Sequence, residues 1–175
     1  ASTINQAMIS ALSHMENREN CRIMHQTGTR DEAEVRRAYE QIGVCATVSS
    51  FFRDMAQLYA EADLAVCRAG ATTVAEIAAV GLPAVFIPYP YAADNHQVAN
   101  AEGQARMGAA EIITESDLNG PKLADCLAAY QKEAGRLEKA RLAAEAASRP
   151  DAAARIAGEI ISAAGLSEIA KAEGK

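Results

Sequence analysis

Residues Cys67 to Glu76 read Cys-Arg-Ala-Gly-Ala-Thr-Thr-Val-Ala-Glu, an order suited to holding a phosphate and a sugar hydroxyl side by side. The apolar run Leu64-Ala65-Val66 precedes them, and a helical pattern through Ile77 and Val80 follows. Gly81 ends that helix, and Pro83 leads into the apolar run Ala84-Val85-Phe86-Ile87. Strand, small-residue turn, helix and strand make a parallel crossover. Its turn lies at the carboxyl end of a strand, where open α/β sheets bind ligands. A helix opening on Gly70-Ala71-Thr72 offers unpaired N–H groups and the positive end of its dipole, with no large side chain to block an anion. Glu76 lies little more than one turn further on, too far for the same phosphate and well placed for a sugar hydroxyl. Its two carboxylate oxygens suit a vicinal diol. The plainer alternative is an ordinary βα turn, with Thr72 and Thr73 capping their own helix and Glu76 facing solvent.

The elements that must position this turn follow from periodicity. Ile4, Met8, Ile9 and Leu12 predict an amphipathic helix over about Ser2 to Glu16. Arg22 to His25 predicts a strand, Asp31 to Ile42 a charged helix, and Val44 to Val48 a second strand. Phe51-Phe52 leads into a short helix ending near Ala62, and Leu64 to Val66, Ala84 to Ile87 and Ala110 to Ile113 are further strands. A helix runs from about Asn95 to Arg106, and the chain from Lys122 is helical, with Leu123, Cys126 and Leu127 on one face. Pro150-Asp151 restarts a helix with Ile156, Ile160 and Ile161 inward and Gly165 as its C-cap. Alternating strands and helices predict an α/β domain with a parallel, doubly wound, Rossmann-like sheet flanked by helices.

The chain has 175 residues, half of them hydrophobic, enough for one domain with a real core. Its net charge of −6 and scattered Lys and Arg argue against non-specific nucleic-acid binding. No apolar run approaches the length of a membrane span, and the start reads as a helix rather than a secretion signal. The cysteines, Cys21, Cys45, Cys67 and Cys126, form no CxxC pair and have no His at metal spacing. They are expected as buried reduced thiols in a cytosolic chain.

Further motifs recur in order: His25-Gln26-Thr27-Gly28, Phe51-Phe52-Arg53-Asp54-Met55, Ala62-Asp63, the 67–76 turn, Gly81-Leu82-Pro83, Pro88-Tyr89-Pro90-Tyr91 and Asp94-Asn95-His96-Gln97. In this combination the chain resembles the C-terminal half of the MurG family, glycosyltransferases of family 28 with the GT-B fold, over nearly its whole length to about Ala164. Ala1 to Asn5 resembles the residues just after that family's glycine-rich GGSxGA loop. The resemblance therefore implies a donor-binding domain over residues 1–165, truncated at its N-terminus, followed by a frayed polar tail over 166–175. The first strand and an entire N-terminal domain are expected before Ala1, leaving the first helix nothing to pack it into the sheet.

The resemblance also assigns roles. The backbone of Phe52 reads the uracil edge, and Phe51 packs. Glu76 binds the ribose hydroxyls. The helix start, Ala71, Thr72, Thr73, Val74 and Ala75, carries the diphosphate on its N–H groups and the Thr73 hydroxyl. His96 and Gln97 meet the hydroxyls of N-acetylglucosamine, with Asn100 a weaker candidate; for His96 the alternative is a helix N-terminal residue without a ligand. Arg68 either neutralises phosphate, meets the acceptor, or pairs with Asp63 or Asp94. His25 is structural at a strand end, and His14 faces solvent. No catalytic base, metal or cofactor is expected in this chain.

The activity so implied is transfer of N-acetylglucosamine from UDP-N-acetylglucosamine to lipid I, making lipid II for peptidoglycan at the cytoplasmic membrane face. The fragment alone would carry only the donor half. The alternatives are another GT-B lipid glycosyltransferase and a non-catalytic UDP-sugar-binding module.

Overall fold

The computed structural model describes residues 1–92, 95–148 and 151–164. In chain order the elements are α1 (Ser2–His14), β1 (Arg22–Gln26), α2 (Glu32–Ile42), β2 (Cys45–Ser49), α3 (Met55–Glu61), β3 (Ala65–Cys67), α4 (Ala71–Ala79), β4 (Ala84–Phe86), α5 (His96–Arg106), β5 (Ala110–Ile112), α6 (Gly120–Lys132), α7 (Arg136–Ala147) and α8 (Ala152–Ala163). Every strand pair is parallel, as the alternation of strand and helix requires. The α/β class and the flanking helices match expectation.

The sheet is not continuous. β1 pairs with β2, while β3, β4 and β5 form a second sheet with β4 in the middle. No ladder joins β1 to β3 among the described residues. Two cavities, of about 440 and 590 Å3, lie between those strands, and Met24, His25 and Val66 line both. β3 is therefore an edge strand, which explains why Ala65, Val66 and Cys67 are only half-buried while Ala84, Val85 and Phe86 of β4 are buried.

α1 is better packed than its sequence context suggested. Ile4, Asn5, Ala7, Met8, Ala11 and Leu12 are buried, and α1 lies against α6 and α2. The approach to α6 is close: a Cβ on Gly120 would stand 1.9 Å from Ser10 Oγ. Leu12, Val35, Tyr39, Val85, Ile87 and Leu123 join this helical layer to the sheets, and a second cluster of Val74, Ile77, Leu82, Ala84, Phe86 and Ala101 seats α4 and α5.

Three further expectations change. The helical segment after Lys122 breaks between α6 and α7, where Gly135 takes φ +78°. Ile156, Ile160 and Ile161 of α8 are exposed rather than inward, because every residue from 151 to 164 is exposed. Cys45 is exposed, whereas Cys21, Cys67 and Cys126 are half-buried; all four thiols are free. Burial pushes the Cys67 and Cys126 thiols up to about 12, so both remain protonated and inert at neutral pH. Gly165, the 166–175 tail and Asp94 lie outside the described residues.

Candidate functional site

α4 opens directly from β3. Gly70 is its N-cap in extended conformation, and no side chain caps it. The Val74 amide closes the first turn onto the Gly70 carbonyl at 2.9 Å. Neither Thr72 nor Thr73 caps the helix. Ala71 and Thr72 are exposed, and the Thr73 hydroxyl stands over Gly70, 3.9 Å from where a Cβ would sit. The first-turn amides thus face outward under small side chains, the arrangement that favours an anion. Val74 differs from its neighbours: its side chain is buried beside Ile77, and its amide is committed within the helix. It serves the core rather than a ligand-facing surface. Ala75 is exposed.

The 440 Å3 cavity beside this turn brings together Phe52, Arg68, Thr73 and Glu76, together with Gln26 and Tyr59. Phe52 stands between β2 and α3, and its amide donates to Gln26 Oε1 at 2.9 Å. Asp54 then caps α3 by accepting from the Gln57 amide at 2.9 Å. Phe51, expected to pack, is 66 % exposed at the cavity mouth. Glu76 accepts from the Tyr59 hydroxyl at 3.1 Å. Burial first, and then Glu76 itself, pushes the Tyr59 phenol up to about 12, so Tyr59 is the donor in this pair.

Asp94 lies outside the described residues, and Arg68 does not pair with Asp63. It is ion-paired to Glu115 and donates to the Ile87 and Pro88 carbonyls at 3.1 and 3.2 Å. Its guanidinium lies 5.4 Å from the Tyr89 ring centroid. These contacts tie the end of β3 to the segment after β4.

His96 and Gln97 begin α5 and do not line the same cavity. Asn95, the N-cap, adopts φ +53°, a left-handed conformation that Asn tolerates. Gln97 Oε1 accepts from the Tyr89 amide at 2.9 Å. Asn100 donates to the Ala69 carbonyl at 3.1 Å, so α5 is bound to the turn that opens α4.

His25 is structural, as expected. It is buried at the end of β1, between the Tyr39 hydroxyl at 2.7 Å and Asn5 Oδ1 at 3.0 Å. The Asn5 amide group donates to the Thr27 carbonyl and to Asp31. Its oxygen is therefore the acceptor for His25 Nε2–H, and Nδ1 accepts from Tyr39. Burial lowers the imidazole to about 4. Hydrogen bonds from Ser2, Arg30 and Asn5 hold Asp31 at about 2. His14 is exposed, with Nδ1 2.7 Å from the Ser10 carbonyl.

Gln26, Tyr59 and Glu115 escape a reading by spacing, since they meet their partners 26, 17 and 47 residues away along the chain (52 − 26, 76 − 59, 115 − 68). Among the described residues, no three His, Cys, Asp or Glu side chains gather in a metal-holding group.

Comparison with known proteins identifies the family. The model of the glycosyltransferase family 28 C-terminal domain matches residues 1–156. A curated relative from Geobacter metallireducens, named UDP-N-acetylglucosamine–N-acetylmuramyl-(pentapeptide) pyrophosphoryl-undecaprenol N-acetylglucosamine transferase, is 46% identical over 162 residues. That match takes in 92% of this chain and 44% of the relative. A Coxiella burnetii protein of the same name is 43% identical over 156 residues, 89% of this chain and 44% of its own length. The chain thus spans less than half the length of these relatives. The crystal structure of Acinetobacter baumannii MurG superposes with a TM-score of 0.80 at 34% identity, over 89% of this chain and 45% of that one. The glycosyltransferase VinC shares the fold with a TM-score of 0.66 at 21% identity, over 92% of this chain and 37% of its own. With the family match running from Ala1 through α4 and the cavity beside it, this chain belongs to the glycosyltransferase family 28 C-terminal domain family.

Proposed function

We propose that the chain is the donor-binding half of an inverting UDP-N-acetylglucosamine transferase that converts lipid I to lipid II in peptidoglycan synthesis. The observation that carries this reading is the uncapped start of α4 with Glu76 on the same helix and the Phe52 backbone in the same cavity. Those three features match the diphosphate, ribose and base of one nucleotide. The curated relatives are named for this reaction.

In this reading the diphosphate lies on the Ala71, Thr72 and Thr73 amides and the Thr73 hydroxyl. As the sugar is displaced, negative charge accumulates on the departing UDP. Preoriented N–H dipoles stabilise that charge without reorganising. Glu76 accepts from the ribose hydroxyls. The Phe52 backbone complements the uracil edge, its amide exchanging the Gln26 oxygen for that of the base. His96 and Gln97, held beside the turn by Asn100, meet the sugar hydroxyls. Arg68 contributes by holding the segment after β4, since its guanidinium is already engaged.

The base that deprotonates the acceptor and the cleft for the lipid-linked acceptor belong to the other half of the parent enzyme. With an acceptor carried on undecaprenol, as in the names of the relatives, the parent works at a membrane surface, which this reading takes to be the cytoplasmic face. The exposed Ile156, Ile160 and Ile161 face of α8 packs on the other half. No helix among the described residues is long and apolar enough to cross a membrane.

Titration of the chain with UDP-N-acetylglucosamine, UDP-glucose and UDP-N-acetylgalactosamine tests this reading. The expected order puts UDP-N-acetylglucosamine first. Equal weak binding of all three, or none, contradicts it.

A further inference from the structure

Glu76 is the residue on which recognition of the ribose turns, and it does not stand alone. Tyr59 of α3 reaches it from the neighbouring helix, its hydroxyl donating to Glu76 Oε2 at 3.1 Å. The Tyr59 ring is half-buried and packs against the cluster that holds Val74, Ile77 and Leu82, whereas Glu76 is exposed. An anchored donor therefore meets an otherwise solvent-facing carboxylate, and both line the 440 Å3 cavity.

We propose that Tyr59 is a positioning residue that fixes the Glu76 carboxylate for a vicinal diol and thereby sets a preference for ribonucleotides over deoxyribonucleotides. This rests on Glu76 being the ribose anchor. A glutamate on a helix surface samples several rotamers, and binding must freeze one of them. A bond already made to an anchored phenol removes part of that cost before the ligand arrives. Two carboxylate oxygens offer about four acceptor sites, so one bond from Tyr59 leaves capacity for two ribose hydroxyls. The phenol stays protonated at neutral pH because burial disfavours its anion. Among the described residues the hydroxyl that reaches Glu76 is that of Tyr59, while that of Thr73 stands over Gly70 at the helix start.

The test is a set of titrations with UDP and 2′-deoxy-UDP on the wild-type chain, Tyr59→Phe, Glu76→Ala and the double variant, with a thermal melt of each. Tyr59→Phe keeps the ring and removes only the donor. It is expected to weaken UDP roughly threefold to tenfold, as loss of one hydrogen bond would. Binding of 2′-deoxy-UDP, which offers Glu76 one hydroxyl rather than two, should fall less and the melting temperature should change little, so the preference for the ribonucleotide shrinks. On the Glu76→Ala background, Tyr59→Phe should add nothing. A Tyr59→Phe chain that binds both nucleotides like wild type overturns the proposal. So does one that loses affinity for both equally, which marks a packing role. If Glu76→Ala leaves the ribonucleotide preference intact, or the wild-type chain binds neither nucleotide, the ribose reading itself fails.

Discussion

The Phe52 amide donates to the side-chain oxygen of Gln26 at 2.9 Å, joining the end of β1 to the loop that leads into α3. The group proposed to read a uracil edge therefore already has an acceptor within the chain. On the proposed reading, a bound base would exchange one acceptor for another, so the amide would keep a partner throughout. In Gln26→Ala the Phe52 amide should exchange with solvent on the order of tenfold faster, and UDP should restore its protection. Hydrogen exchange resolved at that amide checks this. Unchanged exchange in the variant would show that Gln26 does not hold the amide in solution.

Glu76→Ala should weaken UDP binding by about tenfold or more, because a hydrogen bond from a neutral hydroxyl to a charged group contributes roughly 1.5–3 kcal/mol. Folding should be nearly unaffected, since an exposed Glu→Ala change on a helix is close to neutral in propensity. Paired calorimetric titration and thermal melts separate the two effects. A variant that melts early yet binds UDP normally would make Glu76 structural.

Gly120→Ala should destabilise the chain by about 1–3 kcal/mol, the cost of overpacking a close contact. The added carbon would fall 1.9 Å from Ser10 Oγ and 3.0 Å from the Ser10 carbonyl carbon, and backbone cannot give way as a side-chain tip can. Gly81→Ala meets two penalties at once. Gly81 has φ +66°, and a Cβ there would lie 2.9 Å from Glu145 Cγ and 3.2 Å from Glu145 Cα. Urea denaturation should show both variants unfolding at lower midpoints, with Gly103→Ala, which meets nothing, as the control.

Stability should fall on acidification in two stages. His25 is lowered from 6.5 to about 4 by burial. The unfolded chain therefore binds a proton between those values that the folded chain refuses, and stability drops as pH falls through that window. The full effect is on the order of 3 kcal/mol. Asp31, lowered from 3.8 to about 2, contributes stability above 3.8 that is lost as pH falls toward 2. Chemical denaturation at pH 7 and pH 4.5 measures the first stage, and His25→Gln should flatten it. A wild-type chain equally stable at both pH values would contradict the buried neutral imidazole.

The local pattern carried most of this fold. Helices α1, α2, α4 and α5 lie where their apolar spacing put them, because each buries one face and the 3.6-residue period is strong. The strands were also legible, each as a short apolar run between turn signals. Their assembly was not. Periodicity says that Leu64 to Val66 is a strand, one residue ahead of the observed Ala65–Cys67, but not that its β1-facing side lacks a ladder partner among the described residues. The amphipathic pattern of α8 is real, yet it says only that a face is apolar and not what covers it. At the site, the helix start and Glu76 were legible because they lie close together in sequence. Phe51 and Arg68 were less so. An aromatic next to a strand looks like core until the loop geometry turns it out, and the partner of Arg68 comes from Glu115, beyond β5.

An amide-resolved NMR titration of the chain with UDP shows whether a nucleoside diphosphate sits on the start of α4. The amides of Ala71, Thr72 and Thr73 and the Phe52 amide should show the largest shifts, with smaller changes at Gln97 that grow when UDP-N-acetylglucosamine replaces UDP. Shifts confined to other surfaces, such as the 590 Å3 cavity lined by Met8, Leu12 and Leu127, with the α4 amides unmoved, would rule out a nucleotide at the start of α4.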